Sequence, residues 1–401
     1  MGGRVVIQRQ MRVLVLDQCR GVWGAQRYLL RLAPLLRGHG IELVLAVPRH
    51  LEMYDAWRAA GMEVIALDLP VERSIRAAGR PTVRGLVREV AAGVRTARSI
   101  AGVIRDGEFD AVWGNAHWVH AEAALAGRMT ATPVVLHLHE ESVPGLGRWL
   151  RAAAVMFARS AVAVSKTVQE GVPWPASRRV CVIPNGVDTE ELSPALPHDA
   201  AEVRRIRAGL GIGDADVMAL AATRLDPSKR IEDLVAAVRL VDDPHLHLVV
   251  AGSTSGYPEY EQRIVAENAE SGCERITFCG HRGDMPALFR SCDLVIHAGL
   301  IEGMPLGLIE AQSCGKPVVA YDVAGVPEAV VDGKTGLLFE ARDVTGLSRG
   351  LGRLTRDPGL RADMGAAARA HVVAHHRLSD QAVRNVHVLR AMCGLPQLEA
   401  V

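Results

Sequence analysis

Two carboxylates eight positions apart, Glu302 and Glu310, carry the strongest chemical signal in the chain. They lie in the stretch Glu302-Gly-Met-Pro-Leu-Gly-Leu-Ile-Glu-Ala-Gln-Ser-Cys-Gly315, between apolar runs at 293–297 and 317–321. Pro305 suits the first position of a helix, where φ is fixed and no N–H is needed. Gly315 and Pro317 mark that helix's end. The reading puts Glu302 in the loop before the helix and Glu310 about a turn and a half inside it. The helix start offers backbone N–H groups and a positive end between the two acids. Such a pair, at the carboxyl edge of a parallel sheet, can hold a polyhydroxyl ligand that carries phosphate. The same spacing also occurs on plain solvated helices, so the rest of the chain has to decide.

Cations stand at a second strand-to-helix turn. Arg224-Leu-Asp-Pro-Ser-Lys229 follows an apolar strand at 217–222 and precedes a helix at 231–240. Arg224 and Lys229 are placed to meet a pyrophosphate at a helix N-terminus, although exposed basic residues need no such reason. A strand at 246–251 ends in Gly252-Ser-Thr-Ser-Gly256. In the first half, histidines gather where strands end: His117 and His120 after 109–113, His137 and His139 within 133–139. Alternate strand residues share a face, so His137 and His139 point the same way. That spacing could serve a metal, but no further ligand pattern follows; a single functional histidine at a strand's carboxyl end is the favoured reading.

The elements that must carry these residues repeat a simple order. Residues 12–17 form a buried strand, a loop with Gly21 and Gly24 follows, then an amphipathic helix at 25–37 and a strand at 42–47. Strand, glycine loop, helix and strand make a βαβ unit of the doubly wound type. Further strands are expected at 63–67, 161–165 and 180–183. Asn185-Gly186 is a turn signal, and a polar stretch runs to about 200. The domain boundary is put there, with residues 1–192 in one domain and 193–376 in the next. The second half then restarts the same α/β alternation, with strands also at 276–279 and 336–339 and a helical end from 344. A long helix at 82–104 carries Arg84, Arg88, Arg95 and Arg98 on one stripe, with Val87, Val90 and Val94 opposite. It reads as a solvated face packed by its apolar side, or as a peripheral membrane contact through the Arg84–Arg98 stripe.

Bulk composition narrows the class. The chain has 401 residues, room for two domains. Its 46 basic residues nearly balance 45 acidic ones, which argues against nucleic acid as a partner. Hydrophobic residues make up 49% but aromatics only 4%, so the cores must be built from Ala, Val and Leu. Seven scattered cysteines without a Cys-x-x-Cys point to reduced thiols and a cytoplasmic protein. No apolar run reaches the roughly 18 residues that span a bilayer.

Several of these pieces together resemble the retaining glycosyltransferases of family 4. The resemblance rests on Glu302-x7-Glu310 with Gly303, on Arg224-Leu…Lys229 and on Ile183-Pro-Asn-Gly-Val-Asp188. Val164-Ser165, Gly325-Val-Pro-Glu328 and Asp332-Gly-Lys-Thr-Gly336 add to it, in order across nearly the whole chain. It implies the GT-B architecture: two facing Rossmann-like domains with an interdomain cleft, the last helix, about 377–401, returning to the first domain. It also implies roles. Glu310 takes the donor ribose; Arg224 and Lys229 hold the diphosphate; Glu302 binds the donor sugar with the amides of Gly303, Met304 and Leu306. Gly252 joins the donor side. His139 meets the sugar from the first domain, and Gly24, Arg27, Ser165 and Asn185 fall on the acceptor side. The partners implied are a nucleotide sugar and a glycan, lipid or small-molecule acceptor. No cofactor is expected, and no metal, because fixed cations and a helix end can stabilise the departing diphosphate. With no second acid beside His139, retention is expected through attack on the leaving-group face. Two departures stand out. The first loop reads Trp23-Gly-Ala-Gln-Arg27 where Gly-Gly-Ala-Glu-Arg is common, and His297-Ala-Gly stands where Pro-Ser is frequent. The alternatives are a GT-B epimerase or phosphorylase, a non-catalytic sugar-nucleotide binding subunit, and a histidine-based metallohydrolase.

Overall fold

A computed structural model describes residues 10–70, 76–77, 80–81, 83–141, 145–254 and 256–397. The first nine residues therefore lie outside the described part, as do Thr82 and the side chain of Arg84. The chain divides into two compact units: Met1–Pro184 with Ser379–Val401, and Asn185–Leu378.

The first unit is built on a parallel sheet of β1 (Met11–Leu16), β2 (Ile41–Val47), β3 (Val64–Ala66), β6 (Ala111–Gly114), β7 (Val134–Leu138), β8 (Ser160–Ala163) and β9 (Val180–Val182). A two-residue pair, β4 (Arg76–Ala77) and β5 (Arg80–Pro81), is separate. The sheet order is β3-β2-β1-β6-β7-β8-β9. Helices α1 (Gly24–Gly38), α2 (Glu52–Ala59), α3 (Val83–Asp106), α4 (His120–Thr130), α5 (Leu146–Phe157) and α6 (Lys166–Glu170) supply the crossovers. Val13, Leu14, Val15 and Leu16 of β1 are all fully buried. A central parallel strand is covered on both faces, which is why it reads as an unbroken apolar run rather than an alternating one.

The second unit repeats the plan with β10 (Val217–Ala222), β11 (Leu246–Ala251), β12 (Ile276–Gly280), β13 (Leu294–His297), β14 (Val318–Tyr321) and β15 (Gly336–Phe339), ordered β12-β11-β10-β13-β14-β15. Its helices are α7 (Ala200–Gly209), α8 (Ile231–Leu240), α9 (Pro258–Glu270), α10 (Met285–Ser291), α11 (Leu306–Ser313), α12 (Val326–Ala329), α13 (Val344–Arg356) and α14 (Pro358–His375). Their core joins Ile231, Leu234 and Val238 of α8 to Leu347, Leu351 and Leu354 of α13 around the strands. The final helix, α15 (Leu378–Met392), belongs almost wholly to the first unit. Both sheets reverse strand order at one place, between β1 and β6 and between β10 and β13. At such a reversal the loops leave in opposite directions and open a crevice at the carboxyl edge.

Two expectations are corrected. The boundary falls at 184/185, not at 192/193. The amide of Val187 donates to His376 O at 2.8 Å and Leu378 N donates to Val187 O at 2.9 Å, so the segment after Pro184 is tied into the second unit. The apolar side of α3, expected to pack along the helix, is buried over only part of its length. Val87 and Val90 are 63% and 59% exposed, whereas Ala97, Ile100, Ala101 and Ile104 are buried. Gly93 stands where the change begins, with Glu122 Oε1 of α4 within 2.9 Å of where its Cβ would be. Burial on this side begins beyond this glycine, and Val87 and Val90 before it stand clear.

Candidate functional site

In the second unit the reversal point carries the donor-side candidates. Lys229 closes a short turn after β10 in which Asp226 caps: its carboxylate accepts from Ser228 N at 2.9 Å. Leu300 N donates to Ser228 O at 2.8 Å, which fastens this turn to the loop after β13. Across that join, Lys229 Nζ lies 2.5 Å from Glu302 Oε1, and His297 Nε2 lies 2.8 Å from the same oxygen. All three side chains are buried. Burial alone would raise the Glu302 carboxyl, but the Lys229 and His297 charges and hydrogen bonds outweigh it and hold it at about 2. Glu302 is therefore an ionised carboxylate at neutral pH. Arg224 is half-buried beside Asp226, with 3.3 Å between their charged atoms.

The loop from Glu302 to α11 is held by two hydrogen bonds. Asn185 Nδ2 donates to Met304 O at 3.1 Å, and Gly325 N donates to Glu302 O at 3.2 Å. Gly325 must be glycine, since a Cβ would come within 1.8 Å of Gly303 O. Gly307, in the first turn of α11, sits 3.2 Å by its missing Cβ from Ala222 O at the end of β10. Pro305 is the N-cap in extended conformation (φ −74°, ψ 104°), so α11 starts at Leu306, one residue later than expected. Glu310 follows in the second turn, half-buried. Gly252, at the end of β11, has φ +154° and would place a Cβ 1.8 Å from Thr223 O, so the two loops touch through bare backbone.

In the first unit the reversal point carries a different arrangement. Asp17, just past β1, accepts from Asn115 Nδ2 at 2.6 Å, from Gln26 Nε2 at 3.0 Å and from Cys19 N at 2.7 Å. Asn115, just past β6, then presents Oδ1 to His139 Nε2 at 2.9 Å. Since the amide oxygen only accepts, His139 donates from Nε2 and its Nδ1 is left as an acceptor. His137 Nδ1 also approaches His139 Nε2 at 2.9 Å, and its ring packs on Trp113 and Tyr28. Burial pushes His139 down to about 4, with Glu140 opposing and His117 adding to the shift. Burial likewise drives His120 and His137 well below the ordinary histidine range. All three are neutral at pH 7. Among the described residues no group of three or more His, Cys, Asp or Glu is disposed to hold a metal ion.

The structure thus brings Arg224, Lys229, Glu302, Gly303, Met304, Leu306 and Glu310 to one edge of the second sheet, with Gly252 in the neighbouring loop. Asn185 departs from expectation, because it belongs to the second unit and braces the Met304 carbonyl there. Ser165 is the N-cap of α6 and accepts from Val168 N at 3.2 Å. Gly24 opens α1, and Arg27 stands one turn in, its amide bonded to Trp23 O. Gln26, which replaces an acid of the common motif, works as a donor to Asp17. The sequence reading passed over Asp17 and Asn115, whose signal was a polar residue closing each of two apolar strands. His297 was noted only as a departure.

Comparison with known proteins places the chain. Residues 22–191 match the model of Glycosyltransferase Family 4, and residues 202–371 match that of Glycosyl transferases group 1. A GDP-mannose-dependent monoacylated alpha-(1-6)-phosphatidylinositol monomannoside mannosyltransferase of Corynebacterium glutamicum is 30% identical over 317 residues, 74% of this chain and 80% of that one. A D-inositol 3-phosphate glycosyltransferase of Stackebrandtia nassauensis is 32% identical over 66% of this chain and 64% of its own length. Among solved structures, Anabaena HepE in complex with UDP-glucose superposes with a TM-score of 0.80 at 22% identity, covering 95% of this chain and all of that one. The chain belongs to the GT-B glycosyltransferases, with a family 4 amino-terminal part and a group 1 carboxyl-terminal part.

Proposed function

We propose that this glycosyltransferase moves a hexose from a UDP- or GDP-sugar to a hydroxyl acceptor with retention of anomeric configuration and without a metal. The observation that carries the reading is the buried cluster of Lys229, Glu302 and His297 at the strand-order reversal, next to Arg224 and the start of α11. In it, Lys229 and Arg224 meet the diphosphate, Glu302 takes sugar hydroxyls and Glu310 takes the ribose. The glycosidic C–O bond to the diphosphate breaks as a bond to the acceptor oxygen forms on the same face. The acceptor proton passes to a diphosphate oxygen. Negative charge grows where the cations and the α11 amides already point, so their interaction is stronger in the transition state than in the ground state. His139, neutral and fixed in one tautomer, offers Nδ1 to a sugar or acceptor hydroxyl.

The acceptor is a glycan, a lipid or a small molecule; the names of the two relatives above include a phosphatidylinositol mannoside and an inositol phosphate. We further propose work in the cytoplasm and at a membrane surface. The membrane part is supported by exposed Arg88, Arg95 and Arg98 on α3 beside exposed Val87 and Val90. Among the described residues no helix is long and apolar enough to cross a bilayer.

The test is thermal-shift and calorimetric binding of UDP, GDP, ADP and their sugars, with and without EDTA, to wild type and Glu310→Ala. One selective nucleotide, indifferent to EDTA and lost in the variant, is expected. A product of inverted anomeric configuration by NMR would overturn retention. Flotation with anionic vesicles, lost when Arg88, Arg95 and Arg98 become Glu, tests the membrane contact, and unchanged flotation would remove it.

A further inference from the structure

We propose that His297, given room by Gly299, is a positioning residue: it orients the Glu302 carboxylate toward the donor sugar once Lys229 has turned to the diphosphate. The inference rests on the nucleotide-sugar reading above and adds a residue to it. Its basis is a conflict of duties. Lys229 is bound to Glu302 Oε1 at 2.5 Å, yet it also stands in the turn that would receive a diphosphate. A diphosphate carries more charge than one carboxylate and competes for the ammonium. If Lys229 were the only partner, its departure would leave Glu302, 8% exposed, as a buried anion without a donor. Such a group takes up a proton or swings away.

His297 removes that outcome. Its Nε2 sits 2.8 Å from the same Oε1, and because a carboxylate only accepts, the ring donates whatever its charge. Both bonds are made to Oε1, so Oε2 takes part in neither and can face hydroxyls. His297 ends β13 and is itself buried, which fixes the ring more firmly than a loop residue would be fixed. Gly299 is the other half of the device. A Cβ there would lie 2.4 Å from Glu302 Oε1 and 2.6 Å from His297 Nε2. Any side chain at 299 would enter the bond itself. A histidine at 297 bonded to Glu302 therefore requires glycine at 299, in the place where Pro-Ser is frequent.

The experiment measures binding of UDP, GDP, UDP-glucose and GDP-mannose by calorimetry, with steady-state kinetics, for wild type, His297→Ala, His297→Gln and Gly299→Ser. Each variant's melting temperature checks its fold. Diphosphate affinity is expected to stay within about twofold throughout. Affinity for the nucleotide sugar relative to its diphosphate should fall about tenfold in His297→Ala and Gly299→Ser, with kcat falling more than KM rises. His297→Gln keeps an N–H donor near the Nε2 position and should regain most of the loss. If His297→Ala does not fold, the Gly299→Ser and His297→Gln pair decides. An unchanged ratio of sugar-nucleotide to diphosphate affinity in the folded variants overturns the proposal and leaves the transferase reading standing. A wild type that binds neither class overturns the transferase reading.

Discussion

Replacing Lys229 with methionine should reveal how much of the second unit's stability hangs on one charge pair. Methionine keeps the length and apolar stem of the side chain and removes the ammonium. Glu302 then stays buried, with only His297 to answer its charge. Breaking a buried ion pair from one side costs about 3–5 kcal/mol, because the remaining charge is uncompensated. For a body of this size about 2–4 °C is lost per kcal/mol, so the unit's melting temperature should drop by about 6–20 °C. The double variant Lys229→Met/Glu302→Gln removes both charges and keeps an oxygen for the His297 N–H. It should recover most of the loss, giving a coupling of about 3 kcal/mol or more. The sign with pH follows from the depressed Glu302 value. Its contribution is present above the ordinary carboxyl range near 4.3 and vanishes as pH falls through about 2. Thermal melts by circular dichroism at pH 7 for wild type, both singles and the double complete the cycle. Additive single effects, within about 0.5 kcal/mol, would refute the argument that the pair is energetically one object.

Three further outcomes are expected. Lowering pH from 7 to 5 should destabilise the first unit, because His120, His137 and His139 are held neutral when folded and charge on unfolding. Their contribution is complete above about pH 6.5 and declines below it by about 1.4 kcal/mol per pH unit for each histidine; denaturant midpoints should show that slope flattening in His137→Gln, and an unchanged slope would count against it. Glu310→Ala should lower nucleotide affinity by about 10–100-fold, the cost of about 1.5–3 kcal/mol for hydrogen bonds to a charged group, with the melting temperature nearly kept. Gly325→Ala should lower both donor affinity and stability, since its methyl would meet Gly303 O at 1.8 Å and push the Glu302 loop out of place; calorimetry and a melt that match wild type would show that the loop yields without cost.

What the sequence made legible was whatever repeats a local rule. The run from Met11 to Leu16 announces a strand because both of its faces are covered. The helix at Leu306 announces itself by Pro305 before it and Gly315 after it, to within one residue. Glu302, Lys229 and Arg224 were visible because glycine, proline and charge cluster at strand ends. Contacts made across long sequence distances were not visible. Asn185 looked like part of the first half, yet Val187 is bonded to residues about 190 positions away and carries it into the second unit. The bare valines at the start of α3 were not visible either: Val87 and Val90 are exposed although Ala97, Ala101 and Ile104 on the same side are buried, and no pattern of residue types marks where along a helix packing begins. The His297–Glu302 bond depends on the path of the four loop residues between them, and no pattern of residue types encodes that path. The Asp17–Asn115–His139 chain likewise joins the ends of three strands that lie far apart in the sequence.

The discontinuity of the first unit has a consequence for how the protein is made. On the ribosome, everything from Asn185 to Leu378 emerges after most of that unit and before its last helix. The second unit is continuous and can fold as soon as it clears the exit tunnel. The first must wait, with α15 still to come. That helix buries Ala382, Val386 and Leu389, together with Gln381 and Asn385, and the Cys393 thiol beyond it meets Asp110 O at 3.6 Å. The apolar surface that receives α15 is thus open to water for as long as it takes to synthesise about two hundred residues. During translation the amino-terminal unit, although first in the chain, is the later one to close, and a stop codon near position 377 would release a protein with one finished unit and one unsealed.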